Sequence, residues 1–284
     1  MVSADRLAAS YGATAHPTVS RLISAEHPDL LVITTHESAR IEPLELGLAA
    51  GCDLFVEKPL FASVDQERIT VDDYSVARQV LEGWNRSRTT FGVNFNYRTM
   101  PHLRRMGTDI ADGTLGEIKV VAASVHLACW SHTIDLLQSW LGRIERVSAV
   151  GPVDGESLDR VCTVCFANGV IGTLAGMSGT MATEHLLRIE IRGSRARGVA
   201  EGINGRYTRF AGGDEPRLEQ WPNPDAFGDY YTASFKSSID AYCDALRTGA
   251  PPPVSGDDGL AELAVEAALE RSMRTGSPVS IDSL

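Results

Sequence analysis

The sequence predicts an α/β protein of two domains, residues 1–98 and 99–284. In the first domain, short helical patterns alternate with apolar strand patterns, and this rhythm indicates a doubly wound parallel sheet. In the second domain, a series of strand patterns follows with few helices between them, which indicates an open, mostly antiparallel sheet. Two helical patterns, at 232–246 and 257–274, close the chain.

The elements of the first domain are short and are punctuated by glycine and proline. Residues 29–35 form a continuous apolar run, which is typical of a parallel strand covered on both faces. The helix after that run ends at Gly51, and the next strand leads into Glu57. The predicted order is helix 6–11, helix 17–25, strand 29–35, helix 39–51, strand 52–56, a further helix, and strand 90–96.

The second domain opens with two helices that flank one strand. Its later part alternates strands with short turns, except at 212–229, where Gly, Pro, Asp and Glu predict a loop. Ser255 or Asp257 is the expected N-cap of the last helix. The predicted elements are helix 101–112, strand 118–125, helix 130–141, and strands 143–151, 158–167, 170–178, 185–193, 196–201 and 206–211.

Charge and composition narrow the class of protein. The formal net charge is −11, and Lys and Arg do not cluster, so neither a nucleic-acid groove nor an acidic-lipid patch is expected. No apolar run approaches the ~20 residues that span a bilayer. The N-terminus lacks the apolar core of a signal peptide. We expect a soluble cytoplasmic protein that has no membrane or nucleic-acid partner.

The five cysteines form no recognisable framework. Cys162 and Cys165 have CxxC spacing, but they lie in a predicted strand, where side chains three apart point to opposite faces. No second Cys or His pair completes a zinc set. We therefore expect ordinary thiols and no metal site.

The tripeptide Glu57-Lys58-Pro59 follows the apolar run 54–56 directly. In α/β proteins, ligands bind outside the carboxyl ends of the strands. A lysine at such a strand end is well placed to be a catalytic ammonium, and Pro59 fixes the turn that presents it. Lys58 is therefore the first candidate catalytic residue.

The order of these elements, with Tyr97-Arg98 after the strand at 90–96, resembles the glucose–fructose oxidoreductase/inositol dehydrogenase/rhizopine (Gfo/Idh/MocA) family. The resemblance runs from about Ser3 to the C-terminus. It implies a Rossmann-like domain that binds NAD or NADP, a second domain that binds a small-molecule substrate, and a homodimer or homotetramer assembled through the C-terminal sheet.

One part of that pattern is missing from the sequence. No G-x-G-x-x-G occurs, and the acidic ribose ligand is absent, so the Rossmann-like domain is predicted to be N-terminally incomplete by about one βαβ unit of ~30 residues. Two explanations remain open: Met1 is an internal codon, or the domain has lost its phosphate site and binds no cofactor. A truncated chain must also cover the edge of the strand at 29–35.

The resemblance also implies a catalytic helix that begins near His132. His132 suits general acid–base work, and Asp135, three residues later, shares its helix face. The family often has a carboxylate four residues before this histidine, but here that position is Ala128. The expected proton relay is thus reduced to Lys58 and His132, and His126, on the strand that leads in, is the candidate to replace the missing carboxylate.

The remaining candidate residues follow from the same resemblance. Thr34-Thr35-His36 replaces the family's Thr-Pro-Asn turn under the cofactor, which weakens the case for a cofactor. Arg98 suits a carboxylate or phosphate. The predicted cofactor contacts are Thr34, Thr35, His36, Glu57, Lys58, Asn96 and Arg98, and the predicted substrate contacts are Tyr97, His126, Trp130 and Asp135.

Three functions stay open at this point. The first is an oxidoreductase that transfers hydride between NAD or NADP and a sugar, cyclitol or related alcohol or ketone. The second is a cofactor-independent, redox-neutral acid–base enzyme that carries out elimination, cyclisation or isomerisation in the same pocket. The third is a non-catalytic partner subunit of a homologue.

Overall fold

The computed structural model describes residues 3–85, 89–153, 157–178, 186–212, 217–221 and 229–284. Within these residues the helices are α1 (Ala4–Tyr11), α2 (Val19–Glu26), α3 (Ile41–Ala50), α4 (Val71–Trp84), α5 (Pro101–Ala111), α6 (Trp130–Leu141), α7 (Tyr230–Thr248) and α8 (Gly256–Thr275). The strands are β1 (Leu30–Ile33), β2 (Asp53–Val56), β3 (Phe91–Val93), β4 (Ile118–His126), β5 (Ile144–Val150), β6 (Arg160–Phe166), β7 (Ile171–Met177), β8 (Leu187–Gly193), β9 (Ala196–Glu201), β10 (Arg206–Ala211), β11 (Arg217–Trp221) and β12 (Val279–Ser280).

The first sheet has the order β1-β2-β3, and both strand pairs are parallel. Alternate side chains point to opposite faces. A Cβ added to Gly47 of α3 would come within 2.7 Å of Leu54, so α3 packs closely on one face. On the other face the ring of Tyr242 in α7 packs at a tilt against Phe55, with centroids 5.0 Å apart, and its hydroxyl donates a hydrogen bond to the Leu54 carbonyl.

The prediction that 29–35 is covered on both faces was wrong in part. Leu31 and Ile33 are buried against the α3 face, but Val32 points the other way and is 47% exposed. β1 is the edge strand of its sheet, and Tyr242 covers the neighbouring β2 and not β1. The apolar run in the sequence therefore overestimates how much of β1 is buried in the structure.

The second sheet has nine strands in the order β11-β10-β9-β8-β4-β7-β6-β5-β12. Only the central β4–β7 pair is parallel among the described strands, so the prediction of a mostly antiparallel sheet is confirmed. Cys162 is buried and Cys165 is half-buried on β6, in keeping with their opposite faces.

The loop predicted at 212–229 was wrong in part, because β11 lies within it and pairs with β10. Trp221 stacks on Tyr207 at 5.2 Å, and the guanidinium of Arg105 lies 4.4 Å from its ring. An apolar-alternation search misses this strand because cation–π and stacking contacts stabilise it. Residues 213–216 and 222–228 of that predicted loop, and residue 185 of a predicted strand, lie outside the described residues.

The buried apolar residues form two hydrophobic cores, and Tyr97 is the first residue along the chain that belongs to the second core. The first core surrounds β1–β3, and the second lies between the nine-stranded sheet and helices α5, α6 and α8. Val254 and Leu263, although late in sequence, belong to the first core. The N-terminal half of α8 is thus anchored on the first sheet, and Ser255 caps the helix through a reciprocal pair of bonds with Asp258. No helix in the described residues is both long and apolar enough to cross a membrane.

Candidate active site

A cavity of about 340 Å³ lies at the carboxyl ends of β2 and β3, bounded by the first turns of α6 and α7. Ligands of open parallel sheets bind at this edge because the strand ends and the following turns converge there. The lining residues are Glu57, Lys58, Gln66, Asn96, Tyr97, Ala128, Cys129, His132, Leu186, Ile203, Tyr231 and Phe235.

Lys58 is placed in this cavity by the turn after β2. The Lys58–Pro59 peptide bond is cis, and the Lys58 Nζ donates a 2.6 Å hydrogen bond to Oε1 of Gln66. Burial lowers the pKa of Lys58, while the carboxylates of Glu262 and Glu57 oppose that shift. A lowered pKa brings the ammonium closer to the range in which it can lose and regain a proton.

The lysine usage of the chain sets Lys58 apart. Only three of the 26 basic residues are lysines, and the side chains of Lys119 and Lys236 are 53 and 79% exposed. Arginine remains charged in proteins, whereas a buried lysine can shift its pKa and act as a base. Lys58 is therefore the one lysine of the chain whose burial can shift its pKa, and it lies in the cavity.

Glu57 and Asn94 fix the neighbouring strand ends relative to each other. Asn94 Nδ2 donates a 2.5 Å hydrogen bond to Oε1 of Glu57. Asn94 is buried, and its Oδ1 has no hydrogen-bond partner among the described residues. Glu57 thus lies on the cavity wall with one oxygen already engaged, which suits it to orient a ligand and leaves the proton chemistry to other groups.

His132 lies in the first turn of α6 and packs between two aromatic rings. Its imidazole stacks on Tyr97 with centroids 3.8 Å apart, and the Phe95 ring meets it edge-on at 5.7 Å. Nδ1 is buried and has no hydrogen-bond partner in the part of the chain that the structure describes. Burial, reinforced by the charge of Lys58, lowers the pKa of His132 well below its ordinary value, so the ring is neutral at neutral pH.

Cys129 is a cavity residue that the sequence analysis missed. Its Sγ lies 3.2 Å from the hydroxyl of Tyr97, and burial raises the pKa of the thiol. The available signal was its position beside Ala128 at the entry to the catalytic helix. With no carboxylate at Ala128, Cys129 and Tyr97 supply the polar groups on this side of the cavity.

Arg98 and Asp135 were predicted to contact cofactor and substrate, but the structure pairs them with each other. The guanidinium of Arg98 makes two hydrogen bonds to Asp135 and a third, of 3.1 Å, to Asp258. Neither Arg98 nor Asp135 lines the cavity. The predicted contact between Asp135 and His132 is therefore replaced by an ion pair, since a bidentate arginine is the stronger partner for a buried carboxylate.

Two further predicted substrate contacts also lie outside the cavity lining. His126 ends β4, and its Nδ1 accepts a hydrogen bond from the backbone of Ala128. Trp130 is a core residue, against which a Cβ on Gly176 would lie at 2.8 Å. Both residues lie near the start of α6, and their predicted contact with a substrate remains a prediction.

The turn Thr34-Thr35-His36 follows β1 at the same edge of the sheet. All three side chains are exposed, and Thr35 Oγ1 donates to the carbonyl of Ala39. Their predicted role in holding a cofactor remains a prediction. Within the described ranges, no group of three or more His, Cys, Asp and Glu side chains is arranged to hold a metal ion.

Comparisons with known proteins identify the family. A family model described as "Oxidoreductase family, NAD-binding Rossmann fold" matches residues 2–74, and one described as "Oxidoreductase family, C-terminal alpha/beta domain" matches residues 124–281. The chain belongs to the Gfo/Idh/MocA oxidoreductase family. The resemblance and the α/β fold class expected from the sequence are thereby confirmed.

Individual relatives of this family member are distant. Inositol 2-dehydrogenase of Rhizobium meliloti (strain 1021) is 25% identical over 305 aligned positions, which cover 98% of this chain and 88% of the relative. The levoglucosan dehydrogenase complex with NADH and L-sorbose has a TM-score of 0.85 at 18% identity, covering 98 and 86% of the two chains. The super-repressor mutant of Gal80p from Saccharomyces cerevisiae reaches 0.81 at 15% identity, covering 98 and 86%. The structural likenesses show the fold alone.

Proposed function

We propose that this protein is a dehydrogenase or reductase that transfers hydride between NAD or NADP and a sugar, cyclitol or related alcohol or ketone. The observation that carries the proposal is the meeting of Lys58 and His132 in one cavity at the carboxyl ends of β2 and β3. The family supplies the class of reaction. The inositol dehydrogenase relative supports a polyhydroxylated substrate.

The proposed proton chemistry centres on Lys58. Its burial lowers its pKa, so the neutral amine is accessible and can accept the proton of a substrate hydroxyl during oxidation. The same group, once protonated, returns the proton to the carbonyl oxygen during reduction. His132 is neutral and holds the substrate hydroxyl through a hydrogen bond. The nicotinamide cofactor, when bound, takes or gives the hydride.

The cavity residues fit the nicotinamide end of such a cofactor. Asn96 lines the cavity, and its side-chain amide is of the type that can bond the amide group of a nicotinamide. Glu57 and the exposed hydroxyls of Thr34 and Thr35 offer further groups for a ribose along the same edge. No two glycines of the sequence are separated by a single residue, so the usual pyrophosphate loop is absent from these residues.

The walls of the cavity favour a ring-shaped substrate with one apolar face. Tyr231 and Phe235 stand edge to face at 5.1 Å, and Leu186 and Ile203 also line the space. Aromatic faces pack well against the C–H face of a sugar ring, while Lys58, Asn96 and Gln66 can bond its hydroxyls. This combination supports sugars and cyclitols over charged acids.

The first test is calorimetric titration of the purified chain with NADH and NADPH. We expect binding at micromolar cofactor, weakened by K58A and unchanged by K236A, whose lysine is exposed. Bound protein is then assayed with a panel of sugars and sugar alcohols. If the chain binds neither NADH nor NADPH at millimolar concentration, the proposal that it is a dehydrogenase is contradicted. In that case, a redox-neutral activity that is lost in K58A supports the cofactor-independent acid–base enzyme. If Lys58 and His132 can both be replaced without effect and the chain binds a homologue, the non-catalytic subunit is supported.

We also propose that copies of the chain associate through the nine-stranded sheet, as a homodimer or homotetramer. Val120, Ile171 and Val161 lie on the sheet face away from the helices and are 38, 54 and 55% exposed. An apolar sheet face of this kind is normally covered. We expect I171E to reduce the mass measured by sedimentation to that of one chain. V64E, at a residue that is equally exposed outside the sheet, is the control.

A further inference from the structure

Two glutamates lie in the core of the molecule behind Lys58. Glu262 and Glu266 are one turn apart on α8 and are 0 and 3% exposed. The i, i+4 spacing places both carboxyls on the same helix face. A charged residue is almost never fully buried without a partner, and two adjacent ones need a specific explanation. The sequence analysis assigned no role to either residue.

Helix α8 is in direct contact with the turn that carries Lys58. A Cβ on Gly259 would lie 3.0 Å from Leu60, two residues after Lys58, and 2.9 Å from Val93 at the end of β3. Glu262 follows Gly259 by three residues and so shares its face of the helix. The carboxyl of Glu262 therefore faces the region behind the Lys58–Pro59 turn.

The carboxyl oxygens of this pair lack ordinary partners. None of the four has a hydrogen-bond partner of good geometry among the described residues. Burial raises the pKa of both glutamates, and the nearby charge of Glu266 raises the pKa of Glu262 further. Charged and titratable groups that act on the pair from the surrounding elements are Lys58 after β2, Glu67 before α4, Asp135 on α6, and Arg160 and Cys162 on β6.

We propose that Glu262 and Glu266 share a single proton and that the remaining negative charge of the pair is the positioning counter-charge that keeps Lys58 able to hold a proton inside its cavity. Two ionised carboxylates side by side in a low-dielectric core are costly, so one is protonated. Two neutral carboxyls would leave the Lys58 ammonium with Glu57 alone, whose oxygen is already engaged by Asn94.

This inference deepens the function proposed above, because it concerns the protonation of the same lysine. The pair does not line the cavity, so it acts through Lys58 and does not contact a substrate. It also explains why a helix anchored against the turn carries two buried acids on a face where Ser272 is the other buried polar side chain.

The test uses the full chain without cofactor or substrate. The three lysines are labelled with ¹³C at Cε, the Lys58 signal is assigned with K58R, and its pKa is titrated by nuclear magnetic resonance. We expect E262Q/E266Q to lower the pKa of Lys58 by about one unit or more, because the counter-charge is lost. E270Q, one turn further along α8 at a carboxyl bonded to Arg274, is the matched control and should leave it unchanged.

Infrared spectroscopy supplies a second readout. At neutral pH the wild-type protein should show one buried carboxylic-acid band that disappears in E262Q/E266Q and persists in E270Q. If the double variant fails to fold, each single variant is measured instead, and each should lose the acid band because its remaining carboxyl is ionised. An unchanged pKa of Lys58 in folded E262Q/E266Q, an acid band that persists in both single variants, or a band for two protonated carboxyls in the wild-type protein overturns the proposal. Neither readout depends on turnover, so failure to find an activity leaves this result separate from the proposed function.

Discussion

Arg98 donates two hydrogen bonds to Asp135, from Nε at 2.8 Å and from Nη2 at 2.6 Å. Arg98 lies in the turn that follows β3 and Asp135 lies in the middle of α6, so the pair joins the end of the first sheet to the helix that carries His132. The same guanidinium also reaches Asp258 in the first turn of α8. One side chain thus fixes the relative positions of the three elements that surround the candidate active site.

The first prediction concerns the cost of breaking this contact. Asp135 is 1% exposed, and its burial raises its pKa to about 6 although Arg98 opposes the shift. R98A leaves that carboxyl buried without its partner, which we expect to lower the free energy of unfolding by about 3 kcal/mol. D258N should cost about 1 kcal/mol or less, because Asp258 is 37% exposed and an Asn oxygen can still accept the hydrogen bonds of the Ser255 cap. Urea denaturation measures both, and equal costs would contradict this account.

The second prediction concerns the close approach of α8 to the Lys58 turn. G259A places a methyl group 2.9 Å from Val93 and 3.0 Å from Leu60, so we expect it to lower the free energy of unfolding by about 1–3 kcal/mol through overpacking. G83A, in α4, meets nothing within 4 Å and should raise it by about 0.5 kcal/mol. Thermal unfolding of the two variants tests the contrast, and a stabilising G259A would show that α8 is free to move.

The third prediction concerns the pH dependence of stability. His102 is 2% exposed, and burial lowers its pKa from 6.5 to about 4. As the pH falls below 6.5, the unfolded chain takes up a proton that the folded chain does not, so the folded state loses stability until about pH 4. The full loss from this residue is about 3 kcal/mol.

The variant H102Q should flatten that slope. Unfolding free energies measured in urea between pH 7 and 4 would show a smaller decline than in the wild-type protein. H36Q, at a residue whose side chain is 61% exposed, is the matched control and should keep the wild-type slope. An unchanged slope in H102Q would assign the acid sensitivity to other buried groups, of which His132 is the first to examine.

The contrast between prediction and structure follows from what periodicity can detect. The helix at 130–141 was predicted at its observed bounds because its apolar residues repeat with the period of a helix, and β9 and β10 because turn residues such as Asn204-Gly205 delimit them. The spacing of apolar residues does not predict which charged residues become buried by tertiary contacts. Glu262 and Glu266 therefore received no role, although their i, i+4 spacing among apolar residues was visible.

The candidate site shows the same division. Lys58, His132, Asn96 and Tyr97 line the cavity as their positions after strands and at a helix start suggested. Spacing along a helix allowed Asp135 to reach His132, but spacing does not reveal the competitor, Arg98, from a distant segment. Cys129 belongs to no motif in the sequence, and only its contact with the Tyr97 hydroxyl in the folded chain brings its thiol to the cavity.

The last prediction concerns the group that moves the proton. If Lys58 is the base for alcohol oxidation, kcat/KM should rise with pH through the lowered pKa of Lys58, because only the neutral amine accepts a proton. In the reducing direction the rate should fall over the same range. K58R keeps the positive charge but cannot accept a proton, so we expect a loss of about 10²–10⁴-fold in kcat and disappearance of that pH dependence. K236R should retain both. If K58R keeps the pH dependence, another group in the cavity must accept the proton. His132 is a poor candidate for that role, because its lowered pKa makes it a weak base at neutral pH.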